Sequence, residues 1–309
     1  MLVELLLMVL GIGLLAYCSD KAVDHAIRLA AAFGIPTIII GVLVVSVGTD
    51  LPEIVNSIVS SGMGHGDINV GDSIGSCLAQ ISLILGLVGV LSEGFQVNRE
   101  DILELGRSTL MGLLLAILVF RTGYISRLDA AILIVGYLLL VVAMRHYLLR
   151  SNQTDVPRKE GSVPHHLIAL FTFLAGVGIG SYLLVTSAIS ISRALLIPEY
   201  IISFFAVAIG TSLPELVVDL AAVRKKEYSL AMGDVIGSCI VDSTLSIGIG
   251  ALLFPVAISG GMAFLSGIWT FLVSLVVFAT LWSARRVNRK ISLFLILLYL
   301  ASYAMLFGF

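Results

Sequence analysis

The stretch VGTDLPEIVN, Val47–Asn56, decides how the chain must fold. It places two carboxylates, Asp50 and Glu53, and the helix-breaking Pro52 inside an apolar segment that runs through Ile35–Val59. An acid in such a segment needs a cation, a proton or a water-filled cavity beside it, because burial of an uncompensated charge is costly. The stretch therefore predicts a polar functional site inside an otherwise apolar protein.

The composition of the whole chain is that of an integral membrane protein. Of its 309 residues, 59% are hydrophobic and 12% are charged, and the mean hydropathy is +1.08. A soluble domain carries about 25% charged residues. Apolar runs of about twenty residues, the length that crosses a bilayer as a helix, recur along the sequence. The apolar runs therefore predict a lipid bilayer as the surroundings. The net charge of −2 indicates no nucleic-acid role.

Ten membrane-spanning helices are predicted from these apolar runs. They lie at Leu2–Arg28, Ile35–Ser60, Ile68–Leu91, Ile102–Phe120, Leu128–Leu149, His166–Ala194, Tyr200–Val223, Ser229–Leu253, Ala257–Trp282 and Ile291–Phe309. The polar stretch RSNQTDVPRKEG, Arg150–Gly161, separates the first five from the last five. We expect a first five-helix repeat at residues 1–149, a cytoplasmic linker at 150–165 and a second repeat at 166–309.

The two halves of the sequence repeat each other. GTDLPE at Gly48 recurs as GTSLPE at Gly210, and GDSIGSC at Gly71 recurs as GDVIGSC at Gly233. Both pairs are 162 residues apart, as are the Ile-Pro pairs that begin at residues 35 and 197. Since five is an odd number of spans, the second copy must cross the membrane in the opposite orientation. The predicted fold is an all-α integral membrane protein of ten transmembrane helices, arranged as two inverted five-helix repeats.

The basic residues indicate which way the chain faces. When loops are assigned alternately to two sides, thirteen Lys and Arg residues fall on the side of the linker and three on the other. This positive-inside bias predicts a multi-pass protein of the cell membrane with both termini outside. Inverted repeats are the architecture of many secondary transporters, whose binding site lies at the midplane where the copies meet.

Seven of the 20 acidic residues fall at predicted membrane depth, all in the second, third, seventh and eighth spans. They are Asp50, Glu53, Asp72, Glu215, Asp219, Asp234 and Asp242. The repeated motifs contain no Lys or Arg, so the local sequence offers these acids no counter-charge. Acids in such a position mark an ion or proton pathway by default.

The spacing of the oxygen-bearing side chains places them on shared helix faces, because residues three and four apart are neighbours on a helix. The candidate ligands are Thr49, Asp50 and Glu53 in the second span, Asp72, Ser76 and Gln80 in the third, Thr211, Ser212 and Glu215 in the seventh, and Asp234, Ser238 and Asp242 in the eighth. Pro52 and Pro214 predict helix breaks beside them. Carboxylate, hydroxyl and carbonyl oxygens suit Ca²⁺ and Na⁺, whereas a soft-metal site would need Cys or His.

At these motifs the chain resembles the calcium/cation antiporter superfamily, and within it the prokaryotic sodium/calcium exchanger branch. GTDLPE with GTSLPE, and GDSIGS with GDVIGS, look like that family's two alpha-repeats, and the likeness covers nearly the whole chain. The resemblance implies a secondary active antiporter, not an enzyme, that exchanges Ca²⁺ for Na⁺ by alternating access. It implies no cofactor besides the transported ions. In the family the first and sixth helices slide across a core of the other eight.

The resemblance also implies roles for individual residues. Glu53 and Glu215 correspond to the central calcium ligands, and Asp242 to the eighth-span carboxylate. The oxygen ligands of the flanking sodium sites correspond to Thr49, Thr211, Ser212, Ser76 and Ser238.

The chain departs from the family pattern mainly by carrying extra acids. Asp50 stands where Ser or Thr is usual, and Gln80 stands where Asn or Asp is usual. Asp72 and Asp234 stand where Asn is more common. Asp219 stands where a small polar residue is common. Crowded carboxylates cannot all ionise unless cations lie between them. The coupling ion therefore stays open between sodium, protons and potassium, and the alternative to Na⁺/Ca²⁺ exchange is a proton-coupled antiporter of Ca²⁺ or another divalent cation.

Two functions from other classes fit the sequence less well. In a cation channel the polar stripes would line a continuous pore, but two Pro-interrupted helices favour an occluded central site. An intramembrane hydrolase would need a paired catalytic geometry and a substrate cleft, and neither the motifs nor the repeat call for them. The sequence is compatible with a monomer and leaves the oligomeric state open.

Overall fold

The computed structural model describes residues 2–32, 46–92, 94–97, 99–151, 163–224 and 228–307. Its helices are α1 (Leu2–Ala32), α2 (Ser46–Thr49), α3 (Leu51–Gly62), α4 (Gly66–Leu78), α5 (Leu85–Leu91), α6 (Arg99–Phe120), α7 (Arg127–Ser151), α8 (Val163–Leu195), α9 (Glu199–Ile202), α10 (Ala208–Thr211), α11 (Leu213–Arg224), α12 (Tyr228–Ile240), α13 (Ile247–Leu253), α14 (Gly260–Ala284) and α15 (Arg289–Phe307). Its short strands are β1 (Phe95–Gln96), β2 (Tyr124–Ile125), β3 (Val256–Ala257) and β4 (Arg286–Val287). The π-helical segments Ala79–Ile84, Ser203–Val207 and Val241–Ser246 join α4 to α5, α9 to α10 and α12 to α13.

These helices form the predicted membrane spans. In the described part of the chain, eight helical stretches are long and apolar enough to cross a bilayer. Nine of the ten predicted spans begin and end within four residues of the helices that form them. The second is described only from Ser46 onward, so its first residues, 35–45, lie outside the described residues. Residues 152–162 of the predicted linker also lie outside them.

The structural elements of the two halves correspond at the offset of 162 residues. Shifting α3, α4, α5 or the π-helical segment Ala79–Ile84 by this offset gives the bounds of α11, α12, α13 and Val241–Ser246. Cys77 and Cys239, also 162 residues apart, each direct the thiol at the other's carbonyl oxygen, at 3.0 Å and 3.5 Å. Such a reciprocal contact places the pseudo-two-fold axis between the two cysteines.

Equivalent helices run in opposite directions, so the repeat is inverted as predicted. Helices α1 and α8 are counterparts under the offset and pack against each other. Along α1, Gly11 lies against Gly180 and, further on, His25 contacts His166. Residue numbers rise along one helix as they fall along the other, and the two helices are therefore antiparallel.

The loops of the two halves are joined at two places by short antiparallel ladders. Strand β1 pairs with β4, with Phe95 opposite Val287. Strand β2 pairs with β3, with Ile125 opposite Val256. Each ladder connects one half of the sequence to the other, so the two repeats are held together outside the helical core as well as within it.

The two Pro-containing spans break where the sequence predicts. The chain leaves the helical conformation at Asp50, between α2 and α3, and at Ser212, between α10 and α11. Pro52 and Pro214 then lie in the first turn of the following helix. A backbone N–H at that position has no acceptor within the helix, so its absence in proline costs no intrahelical hydrogen bond. Each break therefore creates a helix N-terminus inside the protein, and its partial positive charge favours a nearby carboxylate.

The buried apolar side chains fall into two clusters. The larger one fills the space among the other spans and includes Ile74, Ile81 and Ile236. The smaller one surrounds α1 and α8 and includes Leu15 and Val177. The smaller cluster also contains Ile68 and Ile202 of neighbouring spans, so α1 and α8 pack against the core through an apolar interface that is separate from the larger cluster.

Glycine sets how closely α1 and α8 approach. A Cβ atom on Gly11 would lie 2.9 Å from the carbonyl oxygen of Gly180, whereas one on Gly13 would meet no described atom within 4 Å.

We predict that Gly11→Ala lowers the unfolding free energy by about 1–3 kcal/mol through overpacking. Gly13→Ala, two residues away on the same helix, should be neutral or slightly stabilising. Thermal unfolding of both purified variants in detergent tests this; equal melting temperatures would contradict the close packing.

Candidate cation site

Three acidic side chains converge in the middle of the protein. Asp50, Glu53 and Glu215 each have a carboxylate oxygen within 4.8 Å of the others. All three residues are fully buried, at 0% exposure. Glu53 and Glu215 stand in the first turns of α3 and α11, and Asp50 occupies the break just before α3. We call Asp50, Glu53 and Glu215 the acidic triad.

The acidic triad would repel itself strongly if it were ionised and empty. Two unit charges 4.8 Å apart repel by about 3.5 kcal/mol at an effective dielectric constant near 20, so three such pairs repel by about 10 kcal/mol. A whole protein is stable by only about 5–15 kcal/mol. The triad therefore requires bound cations, bound protons or both.

The protein supplies no basic partner for this charge. Among the described residues, Lys and Arg form no salt bridge to Asp50, Glu53 or Glu215. Both carboxylate oxygens of Asp50 and of Glu215, and Oε2 of Glu53, are buried without a hydrogen bond to any described group. These oxygens are available to a ligand.

Hydroxyl groups from both halves of the chain approach the remaining oxygen of Glu53. Ser76 Oγ donates to Glu53 Oε1 at 3.3 Å, and Ser212 Oγ donates to the same atom at 3.4 Å. Thr211 Oγ1 lies 3.4 Å from Ser76 Oγ. Both oxygen–oxygen distances to Glu53 are longer than is usual for O–H···O hydrogen bonds, so these hydrogen bonds are weak. Each hydroxyl can therefore leave the carboxylate and bind a cation at a small cost in free energy.

Asp72 differs from the triad because the protein satisfies both of its oxygens. Thr211 Oγ1 donates to Asp72 Oδ1 at 2.9 Å, and Asn56 Nδ2 donates to Asp72 Oδ2 at 2.5 Å. Asp72 is therefore placed to orient Thr211. Asn56 was not among the predicted site residues, although it lies three residues after Glu53, on the same helix face.

Two of the three π-helical segments among the described residues, Ala79–Ile84 and Val241–Ser246, place equivalent polar residues in the core. Gln80 is the second residue of Ala79–Ile84, and Asp242 is the second residue of Val241–Ser246. Gln80 Oε1 accepts a hydrogen bond from Cys239 Sγ at 3.4 Å. Both oxygens of Asp242 are buried and receive no hydrogen bond from the described residues. A π-helical turn shifts the following side chains around the axis, and such turns are frequent at functional sites.

The other predicted site residues are buried in the same four spans. They are Thr49, Ser238 and Asp234, exposed by at most 2%. Ser238 Oγ has no hydrogen-bond partner in the described ranges. Asp219, one turn beyond Glu215, is also fully buried, and neither of its oxygens is hydrogen-bonded to a described residue. The sequence-predicted residues thus form a polar interior.

The donor set suits a hard cation. The acidic triad provides six carboxylate oxygens, and the hydroxyls of Ser76, Ser212 and Thr211 lie beside it. Calcium takes six to eight oxygen ligands in flexible geometry, while transition metals prefer nitrogen or sulfur. The chemistry that this arrangement supports is reversible binding of calcium, with sodium ions or protons as competitors for the same oxygens.

Comparison with known proteins identifies relatives along the whole length. The model of the sodium/calcium exchanger protein family matches residues 3–145 and 165–308. Inner membrane protein YrbG of Escherichia coli K12 is 34% identical over 269 residues, which are 82% of this chain and 81% of that protein. Sodium/calcium exchanger MaX1 of Methanosarcina acetivorans is 26% identical, with 99% of each chain aligned.

The fold has a solved counterpart. A structure of the sodium-calcium exchanger NCX_Mj aligns with a TM-score of 0.67 at 28% sequence identity, and the alignment covers 98% of both chains. This likeness supports the arrangement of ten transmembrane helices in two inverted repeats.

The repulsion within the acidic triad leads to a stability prediction. In buffer that contains neither Na⁺ nor Ca²⁺, Asp50→Asn should raise the unfolding free energy by at least about 1 kcal/mol, because it removes one of three mutually repelling charges. Asp20→Asn is the matched control, since Asp20 is exposed and its ion pair with Lys21 at 2.8 Å is worth little. Thermal unfolding measures both variants. A destabilised Asp50→Asn protein in the ion-free buffer would show that the protein itself compensates Asp50.

Proposed function

The chain belongs to the sodium/calcium exchanger protein family, and from this premise we propose that it is an antiporter that exchanges Ca²⁺ for Na⁺ across a membrane. One observation carries the proposal beyond family membership. The acidic triad of Asp50, Glu53 and Glu215 is buried, drawn from both repeats and without a basic partner among the described residues. Such a site is built to hold mobile cations.

In the proposed site, calcium binds between Glu53 and Glu215, and Asp50 contributes a third carboxylate. Sodium ions bind beside it, with oxygens from Thr49, Thr211, Ser212, Ser76, Ser238 and Asp242. Asp72 acts by orienting Thr211, as the 2.9 Å hydrogen bond between their side chains supports. Asp234 and Gln80 complete the polar surroundings of the ions.

Exchange follows from the charge balance at the triad. An empty triad is disfavoured by its own repulsion, so departure of calcium is coupled to arrival of other cations. The protein then reorients the site between the two sides of the membrane while the site is filled.

The helix pair α1 and α8 is the moving element in this proposal, because its apolar cluster is separate from that of the core. We therefore propose that the chain acts as a transporter and not as an enzyme.

The proposed setting is a cell membrane. Both termini lie outside, the linker at 150–165 lies in the cytoplasm, and residues 1–149 and 166–309 form the two repeats. The bias of basic residues toward the linker side supports this orientation. Lipid surrounds the exposed apolar side chains, such as Leu6 and Leu139. The functional unit is proposed to be a single chain.

A proton-coupled exchanger is the second candidate, and one observation favours it. Besides the triad, Asp219 and Asp242 are fully buried, and their oxygens form no hydrogen bond within the described ranges. One calcium ion neutralises only two of these five carboxylates. The remaining charge must be met by sodium ions or by protons, and either could return when calcium leaves.

The calcium ligands are tested by conservative substitution. Glu53→Gln and Glu215→Gln should each abolish Ca²⁺ uptake into proteoliposomes, because each removes a charge that holds the ion while preserving side-chain size. Glu104→Gln is the control, as Glu104 is a surface residue that pairs with Arg107 at 3.5 Å. Size-exclusion profiles establish that the variants are folded. Wild-type flux in Glu53→Gln would remove Glu53 from the site.

The coupling ion is tested by changing the driving gradient. Ca²⁺ uptake into proteoliposomes should follow an outward sodium gradient and respond much less to an outward proton gradient. The reverse result would establish the proton-coupled alternative. Calcium currents that need no counter-ion would instead support a channel and contradict exchange.

Asp50 is the informative position for coupling. Asp50→Ser restores the residue type that the second repeat carries at Ser212. We predict weaker Ca²⁺ binding by roughly tenfold, about 1.4 kcal/mol, since calcium affinity depends on the number of charged oxygen ligands and one is lost. We also predict a steeper dependence of flux on sodium concentration. Transport that is unchanged in both respects would show that Asp50 is not a ligand.

A further inference from the structure

A basic cavity lies where α6 begins and α14 ends, and no residue of the acidic triad lines it. Three arginines are among the residues that do. Arg99 is the first residue of α6, and Arg285 and Arg286 directly follow α14. The cavity has a volume of about 880 Å³, which is in the range of pockets that hold small ligands. We call it the arginine cavity.

No described carboxylate balances the charge of the arginine cavity. In the part of the chain that the structure describes, none of the three arginines forms an ion pair with an acid. Nε of Arg99 is buried and donates to no described group. Glu100 and Glu104 of α6 are not among the lining residues, and Glu104 pairs with Arg107 at 3.5 Å. The cavity therefore presents net positive charge to an anion.

The fold itself does not require these arginines. Arg285 has a φ of 54°, a left-handed conformation that is uncommon for residues other than glycine. Its counterpart 162 residues earlier is Gly123, with a φ of 70°, which follows the end of α6. The counterpart of Arg99 at the same offset is Gly261. Arginine thus stands at one of two equivalent ends where glycine serves at the other, which indicates a role in binding.

An apolar groove of about 200 Å³ continues from the arginine cavity between α6 and α14. Cζ of Arg99 lies 3.9 Å from the centroid of the Trp282 ring, and Trp282 lines the groove. Contact with an aromatic face leaves the in-plane N–H donors of a guanidinium available. Leu103 and Leu275 also line the groove and are 42% and 46% exposed. A positively charged cavity thus opens directly onto an apolar channel on the outside of the helices.

We propose that the arginine cavity and this groove together bind one anionic phospholipid. Its phosphate lies at the three arginines, and one acyl chain lies in the groove. The forked donors of arginine match phosphate oxygens, and basic pockets between membrane helices are known to hold anionic headgroups. A soluble phosphate compound would use the cavity alone and leave the apolar groove without an occupant. Because α6 and α14 come from different halves of the chain, the bound lipid joins the two repeats.

The test is a titration of purified, delipidated full-length protein in detergent with dioleoyl phosphatidylglycerol, followed by native mass spectrometry and thermal unfolding. Dioleoyl phosphatidylcholine has the same chains without net charge, and inorganic phosphate has the charge without chains. Arg99→Gln and Arg285→Gln each remove one positive charge, and Arg285 is exposed, so its substitution leaves helix packing intact. Arg289→Gln is the matched control, because Arg289 is exposed nearby but does not line the cavity.

Wild type and Arg289→Gln should bind one phosphatidylglycerol and unfold at a higher temperature with it. Arg99→Gln and Arg285→Gln should bind it at least roughly tenfold more weakly, because hydrogen bonds between charged groups are among the strong ones. Two results would overturn the proposal. One is an equal effect of phosphatidylcholine or of inorganic phosphate on the wild type, and the other is wild-type affinity in both arginine variants.

The groove is tested by filling it. Ala279 lines the groove, so Ala279→Phe places a ring where the acyl chain would lie and should weaken phosphatidylglycerol binding. Val276→Phe is the control, since Val276 is exposed on the same helix but outside the groove. Unchanged binding in Ala279→Phe would contradict the placement of the chain. None of these measurements depends on transport, so the proposed exchange activity is tested separately.

Discussion

Mutual repulsion among Asp50, Glu53 and Glu215 is the constraint on which the rest of the protein depends. Three acids within 4.8 Å of one another, buried and without a basic partner in the described ranges, cannot stand ionised and empty. The cations that neutralise them therefore also stabilise the fold around them, because whatever binds only the folded state adds to its stability. Under the proposed function, this energetic penalty on the empty site is what makes transport an exchange.

The helices that carry the acids are built to tolerate this site. Pro52 and Pro214 interrupt two spans, and each interruption creates a helix N-terminus that favours negative charge at Glu53 and Glu215. The pseudo-two-fold axis between Cys77 and Cys239 brings the two interruptions together at the centre. One duplicated sequence motif thereby forms one acidic cluster, with carboxylates from both copies.

The two repeats differ in the polar side chains around the acidic triad. In the first repeat Asn56 donates to Asp72, whereas the equivalent of Asn56 in the second repeat is Val218 and the acid Asp219 follows it. The second repeat therefore carries more uncompensated charge than the first. Under the proposed function, this asymmetry gives the two halves different sets of oxygen atoms for the transported ions. Under the proposed function, the choice between sodium and protons then depends on a few side chains and not on the fold.

The sequence by itself determined the spans, the inverted repeat, the helix breaks beside Pro52 and Pro214 and the identity of the buried acids. These features follow from local chemistry and from counting: apolar length, an odd number of spans, the missing N–H of proline and the spacing of residues along one helix. Only the tertiary structure decided that Asp72 is satisfied by Asn56 and Thr211, that the triad closes to within 4.8 Å, and that His25 meets His166. Those contacts join residues far apart in the chain, and helical periodicity carries no information about which faces of distant helices will pack together.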